Sequence, residues 1–149
     1  MDDFKAFHAP DVWPNNITLL DSNITAKKME DQSSSTEGNY LMFQHVKTPF
    51  IVADRCLFQS VYNIDLPNGD FIFVQTSRGN DQIKQENAAM VGKKVVSMNH
   101  FCYTKFEALQ DGSIQIIAVV CVDAAGDLPQ WMKKKIAFIL HIENFRVKR

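Results

Sequence analysis

Residues 116–122 of this 149-residue chain read Ile-Ile-Ala-Val-Val-Cys-Val, an apolar run with no polar position inside it. A strand with one wet face alternates apolar and polar side chains, so this run predicts a strand that meets something other than water on both faces. The run is far shorter than the roughly 20 residues of a membrane-spanning helix. Another element of the same chain must therefore cover it.

The covering element is expected directly downstream. Ala124-Ala125-Gly126 breaks the strand, and Leu128-Pro129-Gln130 opens a helix with proline in the first turn, where its missing N–H costs nothing. The sequence predicts that this helix continues to about Val147. Around residues 136–142 it is apolar nearly all round, the mark of a helix buried on most sides.

Upstream, strand patterns are expected at 24–30, 40–47, 56–64, 71–77, 94–109 and 113–123. Leu66-Pro67-Asn68-Gly69-Asp70 and Gln110-Asp111-Gly112 are hairpin turns: proline presets φ, and Asn-Gly takes the φ > 0 positions. The first 22 residues are poorly periodic, with a short helix expected at 15–20, and 32–38 is a polar loop. Residues 78–93, rich in amides and poor in large apolar groups, read as a long loop with one helical turn around 85–90, expected to be mobile and to gate the interior. The chain is thus α+β, with an antiparallel sheet curling around one long C-terminal helix. Such a sheet leaves room between itself and the helix.

Composition fits one domain over 1–149, with 46% hydrophobic residues and a net charge of −1, so nothing in the global balance points to nucleic acid. Eleven phenylalanines signal a large apolar interior, packed solid or partly hollow. Three cysteines without paired spacing argue against a disulfide framework and suit a reducing cytosol. Met1-Asp2-Asp3 begins neither a basic nor an apolar leader, and a cytoplasmic protein is expected.

Chemistry-bearing residues are sparse. His100 and Cys102 lie two apart on a strand, but a zinc site needs a second ligand pair and none has the spacing. A core thiol and a hydrogen-bonded histidine are the expectation there, with no metal and no cofactor. Arg55, beside a turn, is expected to pair with Asp54 or Asp65; contact with a ligand headgroup is the alternative. Lys133-Lys134-Lys135 is expected to form a solvated helix face, with transient contact to an anionic membrane surface as the alternative.

Two motifs about 70 residues apart carry a family resemblance. In the stretch YLMFQHVKTPFIVADRCLFQSVYN (40–63), a strand meets the turn Pro49…Asp54-Arg55 and a second strand follows. In VVCVDAAGDLPQW (119–131), the last strand ends in Asp123, Gly126, Leu128, Pro129 and Trp131. Both resemble segments of the StAR-related lipid transfer (START) domain, a helix-grip fold, and Trp13-Pro14-Asn15 is similar to its earlier tryptophan-centred helix. The resemblance implies a hydrophobic tunnel for one lipid, closed by the C-terminal helix and by loop 78–93. It also implies an N-terminal helix and three strands that this sequence lacks. The acid–base pair that faces the cavity in sterol-binding members falls on Met42 and Val61, both apolar.

The leading expectation is therefore binding, extending to intermembrane transfer, of a single phospholipid or sterol-class lipid, without catalysis. The expected ligand-binding residues are Met42, Val61, Arg55, Met132, Ile136 and Ile139. A helix-grip enzyme of cyclase or hydrolase type is the alternative, and would require His45, His100 or Glu107 to point inward. A regulatory domain with its pocket filled by its own side chains is another. With the N-terminal strands missing, the sheet edge near 24–30 is expected to lie open, and a homodimer to cover it.

Overall fold

The computed structural model describes residues 1–29, 39–49 and 51–130 in full, and the backbone of 143–147. Two helices, α1 (Asp2–Phe7) and α2 (Trp13–Leu20), precede four strands: β1 (Ile24–Met29), β2 (Tyr40–Val46), β3 (Arg55–Asp65) and β4 (Phe71–Thr76). Two short helices, α3 (Asp81–Glu86) and α4 (Ala88–Val91), lead into β5 (Val95–Val96), β6 (Met98–Ala108), β7 (Ile114–Asp123) and β8 (Glu143–Val147). The strands form one sheet in the order β1-β2-β3-β4-β6-β7-β8, antiparallel throughout, with β5 pairing in parallel beside the start of β3.

The hairpin turns form as the dipeptides dictate. Gly69 has φ 85° and donates its N–H to the Leu66 carbonyl, so β4 folds back on β3 without strain.

Strand β8 corrects one expectation. The C-terminal helix was predicted to reach Val147, yet Glu143–Val147 is extended and pairs antiparallel with β7, from Ala118↔Glu143 to Ile114↔Val147. The free edge of β7 explains it: the ladder offers hydrogen bonds that a last helical turn does not. Met132, Ile136 and Ile139 lie outside the described residues.

Strand parity divides the sheet into two faces. At one end of the inner face, α1 and α2 fill the space and build a solid core. Trp13, Tyr40, Met42, Val61, Phe71, Phe73, Phe106 and Ile114 are buried there, with Met1, Phe4 and Ile17 packed against them. His8, also buried, stacks on Trp13 at 4.7 Å between ring centroids and touches Phe73 at 4.6 Å. Its Nδ1–H donates to the Phe4 carbonyl at 2.7 Å, which locks the end of α1. Each fully buried aromatic here contributes about 1.5–3 kcal/mol by leaving water.

The outer face carries a second, smaller core of Phe43, Cys56 and Phe58. Ile83, Met90 and Val91 of α3 and α4 pack on it. The segment 78–93 is thus largely helical rather than a loop. It lies across the sheet from the inner face, so it does not gate the interior. Its few apolar residues, at 83, 90 and 91, are spaced to form one sticky patch, which a count of amides hides.

Candidate functional site

Beyond the solid core, the other end of the inner face is hollow. The space has a volume of about 350 Å³. Its walls are mostly aliphatic: Ile17, Ile24, Val46, Leu57, Val120, Val122 and Leu128 among them. The apolar run of β7 therefore meets this hollow through alternate residues. No other element among the described residues fills it.

Arg55 stands in the wall and is 5% exposed. The expected ion pair is absent among the described residues, because both carboxylates are engaged elsewhere. Asp54 bonds His45 Nε2 at 2.8 Å and accepts from the Thr48 N–H; that N–H first, and then His45, hold its carboxyl below the usual range. Asp65 pairs with Lys5. The guanidinium instead donates to three backbone carbonyls: Ala53, Ala124 at 3.3 Å and Ala125 at 3.1 Å. The turn that supplies two of these is held by Asp123, whose Oδ1 accepts the Ala125 N–H at 2.8 Å. Ala125 and Gly126 there have φ 52° and 67°.

Four amides form the floor of the hollow: Gln44 on β2, Gln59 on β3, Gln75 on β4 and Asn99 on β6, each less than 10% exposed. Asn99 Nδ2 donates to Gln59 Oε1 at 3.0 Å, and Gln59 Nε2 donates to Gln44 Oε1 at 2.6 Å. Sequence reading missed them. Three were findable, since Gln44, Gln59 and Gln75 sit at strand positions whose parity matches the core residues Met42, Val61 and Phe73. Asn99 was not, because a β-bulge between Asn99 and Phe101 resets the parity of β6.

Met42 and Val61 are fully buried in the solid core and do not line the hollow; Gln44 and Gln59, one inward-facing position further along each strand, do. His45, His100 and Glu107 do not line it either. Cys102 does, and burial pushes its thiol up, so it holds no activated thiolate. Among the described residues no three histidine, cysteine or acidic side chains are grouped to hold a metal ion.

No protein-family model and no curated protein matches the sequence. Solved structures do match in fold. Human STARD10 superposes with a TM-score of 0.68 at 15% identity over 92% of this chain and 51% of its own. Human StAR-related lipid transfer protein 5 gives 0.64 at 17% identity over 83% and 57%. The chain is α+β with the helix-grip fold of these StAR-related structures, and it spans about half the length of each.

Proposed function

We propose that the chain binds one lipid in the inner-face hollow and carries it between membranes. An apolar space of about 350 Å³ beside an amide floor is the observation that supports this reading most. A ligand pocket of this kind gains its energy from buried apolar surface, and a few polar groups set orientation. The name of human StAR-related lipid transfer protein 5 describes the same activity for a chain of the same fold. Arg55 stands at the wall, and Met132, Ile136 and Ile139 are proposed to close the space from the C-terminal side. Catalysis has no support in the wall, whose titratable groups among the described residues are Arg55 and Cys102.

The three cysteines are unpaired, which supports a reducing compartment such as the cytosol. No helix of the described residues is long and apolar enough to cross a membrane. Native mass spectrometry of the purified chain tests the binding. The expected spectrum carries one lipid-sized adduct that organic extraction removes, and an extracted chain that fails to take lipid back from vesicles overturns the reading. Transfer is tested by movement of a fluorescent lipid from donor to acceptor vesicles. The proposed homodimer would form along β1, which pairs only with β2 among the described residues. Sedimentation at twice 17.0 kDa supports it, and a monomer refutes it.

A further inference from the structure

The amide floor is an incomplete hydrogen-bond relay. Asn99 gives its N–H to Gln59, and Gln59 gives its own to Gln44. Asn99 Oδ1 and Gln75 Nε2 are buried and find no partner among the described residues. Gln75 is 7% exposed and Asn99 3%, and both line the hollow from neighbouring strands. A buried amide group left unpaired is costly, so two of them facing one apolar space call for an occupant. Turning every amide over only exchanges donor for acceptor: Asn99 then presents an N–H and Gln75 an oxygen at the same two unpaired places.

We infer that the hollow selects a neutral lipid whose polar group is a hydroxyl, held between Gln75 Nε2 and Asn99 Oδ1. This rests on the lipid-binding reading above and adds the chemistry of the headgroup. A hydroxyl gives its proton to Asn99 Oδ1 and accepts from Gln75 Nε2, which answers both unpaired atoms at once. A carboxylate or phosphate has only acceptors to offer, and would set its lone pairs against those of Asn99 Oδ1. The floor itself carries no charge. Arg55 stands in the same wall, but three of its five N–H groups already donate to backbone carbonyls, which turns the guanidinium toward the Ala124-Ala125 turn.

Titration calorimetry on the delipidated full chain with dodecanol, dodecanoate and dodecane tests the inference, since the three probes share a tail and differ in the head. Dodecanol is expected to bind about three- to tenfold more tightly than dodecane, the range one satisfied hydrogen-bond pair supplies. Dodecanoate is expected to bind more weakly than dodecanol. In Gln75→Leu and in Asn99→Leu the ratio of dodecanol to dodecane affinity should fall to about one. Tightest binding by dodecanoate would assign the head to Arg55 and overturn the inference while leaving lipid binding intact. Equal affinities would make the relay purely structural, and overturn it too. Binding of none of the three would remove the lipid reading and the inference together. The probe series on the unaltered chain decides even if both variants fail to fold.

Discussion

Arg55 Nη2 donates to the carbonyl of Ala125 at 3.1 Å and so ties the start of β3 to the turn that ends β7, 70 residues further on. The Ala124 carbonyl receives two donors, Arg55 Nε and the Ser97 hydroxyl at 2.8 Å, so the turn is clamped from β3 and from the β5–β6 corner. Gly126 follows with φ 67°, and a Cβ there would stand 3.4 Å from Val95 and 3.6 Å from Arg55 Nη2. The two sequence motifs are halves of one device: a buried cation and the carbonyls that solvate it.

Arg55→Met should therefore destabilise the fold by about 2–3 kcal/mol, since it removes three hydrogen bonds of a buried guanidinium and leaves the Ala124 carbonyl to Ser97 alone. The thermal midpoint should drop by roughly 5–10 °C in circular dichroism. Arg55→Lys should recover only part of this, because one ammonium cannot reproduce the fork of a guanidinium. A midpoint unchanged by Arg55→Met would show that the clamp contributes nothing to stability.

How much of this was legible depends on the range of the signal. The strand patterns and the Asn68-Gly69 turn are local, and the strands up to β7 fall within a residue or two of where alternation puts them, except that 94–109 divides into β5 and β6; β8 lies where a helix is expected. Helix α1 was missed because six residues with two acidic starts and one basic end give no periodicity, while its stability comes from Phe4 packing on Phe106 at 5.1 Å. Arg55 was flagged as a residue but paired wrongly, since the sequence shows nearby carboxylates and hides distant carbonyls. Whether an inward-facing position falls in solid core or hollow is a question of tertiary packing. Met42 and Gln44 share one parity on one strand and part company there.

The outer-face helices should matter to stability and not to binding. Ile83→Ala removes a partly buried contact with Phe43, Cys56 and Phe58 and should cost about 1–2 kcal/mol. Lipid uptake from vesicles should keep its rate, because no residue of 78–93 lines the hollow. A slowed or accelerated uptake in a folded Ile83→Ala chain would return this segment to the role of a gate.

Stability should fall as the pH drops below about 6.5, through His8. Burial among Trp13, Phe73 and Phe106 pushes its pKa down from 6.5, outweighing the bond to the Phe4 carbonyl. Below 6.5 the unfolded chain takes up a proton that the folded chain refuses, so protonation favours unfolding. Urea midpoints measured from pH 7.5 to 5.5 (roughly a unit either side of the free value) should decline, and His8→Phe should flatten the slope. An equal slope in both chains would place the titrating group elsewhere.

Filling the hollow should separate its role from that of the core. Val120 and Cys102 face each other across β7 and β6, and both line the space. Val120→Phe adds a ring where aliphatic walls now lack neighbours, which gains dispersion contacts and removes apolar surface from water. Cavity-filling changes of this type commonly stabilise by about 0.5–2 kcal/mol, so the thermal midpoint should hold or rise by a few degrees. The same ring occupies the volume that a lipid tail would need. The mass-spectrometric adduct should therefore disappear from a chain that is no less stable than the original. Retention of one lipid per chain in folded Val120→Phe would mean that the ligand sits somewhere other than the inner face.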